Sequence, residues 1–172
     1  MSVSEFFGQP EYLHLLVNPV LTHALPVAAV GLLLALLFRS TGATKLALFL
    51  VLLTAAAAWP TLHYGHEGYD RVKSMADDTG GDWLAVHRYR AEKAAPLFYV
   101  TALIALGALV AGWRWKKTFT PLSWVALAFA LAACVAALRI AYPGGKIRHR
   151  EFRHEPPPAA EVQAAHANAG EN

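Results

Sequence analysis

The sequence predicts an all-α integral membrane protein, a four-helix up-down-up-down bundle. Three observations predict it. Of 172 residues, 56% are hydrophobic and 16% charged, whereas a soluble domain runs about 45–50% apolar and about 25% charged. The apolar residues gather in four long blocks. Basic residues crowd the two short loops between those blocks.

The first block, Pro19 to Phe38, carries no charge. Before Arg39 the only charges are Glu5 and Glu11. A signal peptide needs a positive n-region, so this block is expected to be a retained helix with its N-terminus translocated. Leu46 to Leu62 and Ala94 to Trp113 are likewise uncharged, and Leu122 to Tyr142 holds only Arg139. A spanning helix needs about 20 apolar residues, within a range of about 17–25. Hydrocarbon offers the backbone no hydrogen bonds, so the blocks are helices and not open strands. The short connections at 39–45 and 114–121 make neighbouring helices antiparallel. Gly31, Gly107, Gly112 and many alanines allow close helix approach. Pro26, Pro60 and Pro96 each deny a hydrogen bond to the residue four back, namely Thr22, Ala56 and Glu92. The outer half of the bundle is therefore expected to be the irregular half.

Loop charge orients the bundle. The two short loops carry Arg39, Lys45, Arg114, Lys116 and Lys117 in 15 residues, with no acid. The other side carries nine Lys and Arg in 79 residues, with all 12 acids. Positive charge stays inside, which makes the short loops cytoplasmic. Both termini and the 63–93 loop then face the periplasm of a bacterial inner membrane, with membrane lipid around the spans. Residues 1–152 form the transmembrane domain and 153–172 a tail. Pro156 to Pro158 and an Ala, Glu, Asn and Gln-rich run read as extended and then disordered. A net charge of +3 implies no nucleic-acid partner.

The chemistry is bounded by what is missing. With Cys134 as the single cysteine, there is no intramolecular disulfide, cysteine-ligated iron–sulfur cluster or C-x-x-C-H haem attachment. Any haem must be held non-covalently. No G-x-S-x-G, G-K-[ST], G-x-G-x-x-G or H-E-x-x-H occurs, so no catalytic activity of its own is expected. There are eight histidines, at 14, 23, 63, 66, 87, 149, 154 and 166. All fall in outer segments or at outer span ends.

Counting helical rise from the cytoplasmic ends puts His23 roughly 22 Å up, His63 and Arg139 roughly 27 Å, and His87 roughly 39 Å. His66, His87 and His149 then lie at or above the interface. An ionisable group inside a span is a functional candidate by default, and His23 sits in an uncharged block. Gly31 lies below it on the same face, although Val27 takes back some of that room; His87 has Ala91 and Ala94 on its face. The cofactor-site candidates are His23, His63, His66, His87 and His149, with Arg139 for a haem propionate. His23, His63 and His87 are the candidate haem iron ligands. The competing reading makes these histidines hydrogen-bonded interface groups, Arg139 a snorkelling cation, and His154 and His166 solvated tail residues. Depth separates His23 from His87 by roughly 17 Å; His23 with His63 or His66 fits better, and His63 with His149 is another pair. A bare metal on His63, His66, Glu67 and Asp70 would need one helix face, and Gly65 and Gly68 argue against a helix there.

Asn18-Pro-Val-Leu-Thr-His23-Ala-Leu-Pro26, His87 opening the third helix, and Gly144-Gly-Lys-Ile-Arg-His149 after the fourth resemble a bacterial family of uncharacterised four-helix membrane proteins. The resemblance spans roughly residues 12 to 155. Here Asn18 replaces the family's first histidine, and Pro26 sits one place late. The family is a domain of unknown function, so the resemblance implies topology. Its histidine pattern is similar to that of b-type haem bundles, which favours haem b as the cofactor. The expected function is a membrane electron-transfer subunit with haem b in the outer half of the bundle, exchanging electrons with a periplasmic or membrane redox protein subunit. The alternative is a non-redox membrane anchor or assembly subunit of a larger complex. A transporter is the weaker third reading, because the spans hold no acid for ion coupling.

Overall fold

The structure is a computed structural model that describes residues 7–170. The termini themselves, assigned above to the outer side, lie outside the described residues. Among the described residues there are helices and no strands. In chain order they are α1 (Pro10–Pro19), a π-helical turn (Val20–Ala24), α2 (Leu25–Leu37), α3 (Thr41–Ala56), α4 (Ala58–Glu67), α5 (Tyr69–Ser74), α6 (Asp78–Arg114), α7 (Lys116–Lys146), a 3₁₀ turn (Arg150–Phe152) and α8 (Ala159–Gly170). Four helical runs are long and apolar enough to cross a membrane: Pro10–Leu37, Thr41–Glu67, Asp78–Arg114 and Lys116–Lys146. Each is longer than the apolar block that announced it, because polar turns extend it.

Packing divides the chain into two compact units. One comprises 17–60 and 94–137, the other 1–16, 61–93 and 138–172.

The 17–60/94–137 unit is built inside out relative to a soluble protein. Beside buried leucines such as Leu25, Leu32 and Leu48, it buries a run of alanines: Ala102, Ala105, Ala108 and Ala111 on α6, and Ala126, Ala130, Ala133 and Ala137 on α7. These recur every three or four residues and form one face of each helix. Large residues face outward, among them Val27 at 72% exposure, Leu103 at 66% and Leu46 at 62%. Water would not tolerate such a surface; hydrocarbon does, and small residues then let backbones approach. Hydroxyls inside are satisfied locally. Thr54 donates to the Leu50 carbonyl at 2.7 Å, Ser123 to Phe119 at 2.7 Å and Thr101 to Leu97 at 2.7 Å. A Cβ on Gly112 would meet the Phe119 ring at 3.0 Å, so that crossing demands glycine. The turn between α2 and α3 places Arg39 at φ 55°, and Ser40 caps α3 by accepting from the Ala43 N–H.

The expected irregularities appear at two of the three prolines. Pro26 cannot donate to Thr22, and the π-helical turn sits immediately before it, closed by the Leu25 N–H on the Val20 carbonyl. The break between α3 and α4 at Ala57 comes just before Pro60. Pro96 lies within the continuous α6.

The second unit carries the polar chemistry. Trp83, Leu84 and Ile147 form a buried cluster against Tyr69, Val72 and Ala76. Around it runs a strap of ion pairs. Asp77 accepts from Arg153 at 2.8 and 2.9 Å, from Arg150 at 2.8 Å and from the Gly80 N–H at 2.8 Å. The Arg153 hydrogen bonds hold the Asp77 carboxyl below its usual range, with help from that N–H. Lys146 reaches Glu155 at 2.6 Å and Tyr142 at 2.7 Å. Glu161 on α8 takes Arg90 in a fork at 2.6 and 3.0 Å, so the tail forms a docked helix where the sequence reading had disorder. The helix through Gly65 also corrects an expectation: α4 continues to Glu67.

Candidate functional site

Within this second unit, α1 and α4 contribute one histidine–glycine arrangement, and α6 and α7 contribute a second of the same kind. His14 Nδ1 lies 2.8 Å from the Thr61 carbonyl. His87 Nδ1 lies 2.8 Å from the Ile140 carbonyl. A carbonyl oxygen only accepts, so both rings are Nδ1–H tautomers and keep the lone pair on Nε2. Both rings also rest on a glycine one helical turn past that carbonyl. A Cβ on Gly65 would meet His14 Nδ1 at 3.0 Å and Cε1 at 3.2 Å; a Cβ on Gly144 would meet His87 Nδ1 at 3.0 Å and Cε1 at 3.2 Å. The glycines bring the Nδ1 edge of each ring against the helix and leave Nε2 on the far side.

The two imidazoles are neighbours. Their centroids lie 6.1 Å apart with planes at 87°. Histidine ligands of metals usually donate their other ring N–H to a carbonyl or carboxylate, which fixes tautomer and orientation. This pair has that preparation twice over. With metal–imidazole bonds of about 2.0 Å, two imidazoles that faced each other across one metal ion would have their centroids about 6 Å apart. The observed spacing matches.

The remaining candidates have other surroundings. His23 belongs to the first unit and is exposed on the π-helical turn, with Nδ1 2.8 Å from the Thr22 hydroxyl. His63 is exposed, its Nε2 3.5 Å from Glu67. His66 Nε2 donates to Glu92 at 3.0 Å. His149 Nδ1 donates to Glu151 at 2.8 Å and its ring stacks on Phe152 at 5.1 Å. The Arg139 side chain is exposed, while its carbonyl accepts from Arg90 Nη1 at 2.9 Å. That carbonyl is free because Pro143, four residues on, has no N–H to give it. Among the described residues no group of three or more His, Cys, Asp or Glu gathers to hold a metal ion.

Of the six sequence candidates, His87 is the one paired with another histidine. Its neighbour His14 was counted but not singled out. A signal existed. His14 stands 24 residues above Phe38, roughly 36 Å at helical rise, against roughly 39 Å for His87. His149, 28 residues above Pro121 or roughly 42 Å, stands equally close to His87 in that count, so depth alone does not single out His14. Comparison with known proteins finds no matching family model, no matching curated protein and no matching solved structure.

Proposed function

We propose that this chain is a membrane electron-transfer subunit that holds a non-covalent b-type haem between His14 and His87. The observation that carries the reading is the pair itself: two carbonyl-anchored imidazoles, each seated on a glycine, with centroids 6.1 Å apart. The proposal keeps His87 from the sequence reading and takes His14 in place of His23 and His63 as the second ligand. Haem supplies one-electron chemistry at its iron, at a potential tuned by axial ligands, their hydrogen bonds and burial. The chain supplies the rest. The Thr61 and Ile140 carbonyls make both imidazoles better donors to iron. The unit around the pair carries most of the exposed charge, suited to a periplasmic redox partner. Supporting this placement are the basic short loops, which orient an up-down-up-down bundle with both termini outside the inner membrane.

Purified protein, reconstituted with haemin where needed, tests the proposal by its reduced-minus-oxidised visible spectrum. The expected result is a low-spin b-type signal that is lost in His14→Ala and in His87→Ala. A colourless protein that takes up no haemin while remaining folded overturns it.

A further inference from the structure

We infer that His23 is the hydrogen-bond acceptor of a binding site for a lipid-soluble hydroquinone, the electron donor of this chain; the inference rests on the electron-transfer reading above. The face of the first helical run around His23 is otherwise apolar. Pro19, Val27, Val30, Leu34 and Leu37 are exposed at three- and four-residue spacing with His23 among them, and Leu15 and Leu16 are exposed one to two turns earlier. His23 is thus the polar member of a stripe that meets hydrocarbon, with apolar residues on both sides of it along the helix.

Its hydrogen bonding fixes what it offers. Thr22 gives its hydroxyl proton to the Asn18 carbonyl at 3.3 Å. The 2.8 Å contact between Thr22 Oγ1 and His23 Nδ1 is then donated by the ring. Nε2 keeps its lone pair and points no proton outward. A bare acceptor in hydrocarbon is costly unless a donor reaches it, and the donor must itself dissolve in lipid. A hydroquinone hydroxyl has that chemistry. Thr22 and His23 both lie in the π-helical turn Val20–Ala24, a rare local form often found at functional sites. On oxidation the hydroquinone loses two electrons and two protons and becomes the quinone. One proton passes to His23 Nε2 and the other to water; the electrons leave singly, each to the ferric haem of the reading above, which the redox partner reoxidises between the two transfers.

The test uses the full-length protein in nanodiscs. An azido-quinone label should attach within residues 19–30, be competed by excess decyl-hydroquinone, and be lost in His23→Phe. Reduction of bound haem by decyl-hydroquinone should slow at least tenfold in His23→Phe and recover in part in His23→Gln, whose side-chain oxygen again accepts. Dithionite reduction and the visible spectrum should not change. Labelling does not require haem, so failure of the haem reading leaves this arm readable. Label elsewhere on the chain, or an unchanged hydroquinone rate, overturns the inference. So does a His23-dependent oligomer whose hydroquinone reduction is insensitive to the substitution.

Discussion

Gly144→Ala should loosen the haem that His87 is proposed to ligate, although it adds one methyl group to a helix. The new Cβ would stand 3.0 Å from His87 Nδ1, where ordinary contact begins at 3.4 Å. The ring must retreat by about 0.4 Å, which stretches its 2.8 Å bond to the Ile140 carbonyl to about 3.2 Å, the edge of the hydrogen-bond range. Leaving that donor unsatisfied costs about 1–3 kcal/mol, which converts to roughly a 5- to 150-fold loss of affinity. Disturbing a partner behind a metal ligand has an effect of the same order, about 10- to 100-fold. Gly145 supplies the control, because a Cβ there meets nothing within 4 Å. Gly145→Ala should gain up to about 1 kcal/mol of helix stability from reduced chain entropy. The assay is haemin titration followed by absorbance, with a redox titration of the bound form. Gly144→Ala holding haemin within twofold of wild type, at an unchanged potential, would refute the idea that the glycine seats the ligand.

Three further outcomes are expected. His63→Ala and His149→Ala should retain the b-type spectrum that His14→Ala abolishes, because their rings pair with Glu67 and Glu151; visible spectra of the three proteins decide it. Ala130→Leu, at a fully buried position, should destabilise by about 1–3 kcal/mol through overpacking, whereas Leu131→Ala on the exposed face should be nearly silent in a detergent melt. The Asp77 strap should be acid-labile. Its carboxyl is held below the usual range by Arg153, so its stabilising contribution is complete above the unfolded value of about 3.9 and is lost as pH falls through the lower folded value. Hydrogen exchange of peptides covering 77–81 and 146–153 should stay slow down to about pH 4 and accelerate below it, and acceleration at pH 6 would count against the assignment.

Composition and charge made the helices legible, because a span must be long and apolar whatever it packs against. The lengths of the runs were less legible. The stretch 78–93 is polar and reads as loop, yet it opens α6 because Trp83 and Leu84 give it a buried face against Ile147. Gly65 reads as a helix breaker in isolation. In the fold it is the place where His14 comes close, and the surrounding helix absorbs its entropy cost of about 1 kcal/mol. The tail misled in the same way. Its Pro and Ala content predicts disorder, but Glu161 finds the Arg90 fork, a contact 71 residues away that local pattern does not reveal.

The same separation hid the histidine pair. His14 sits 47 residues from the carbonyl that orients it, and His87 sits 53 from its own. Neither distance is a motif. What repeats is the relation. In each arrangement a histidine on one helix uses a carbonyl and, four residues on, a glycine of another: Thr61 with Gly65, Ile140 with Gly144. Two equivalent arrangements that meet at their imidazoles present two equivalent nitrogens, the pair that would hold the proposed haem. The equivalence is local. Pro60 precedes Thr61 where Arg139 precedes Ile140.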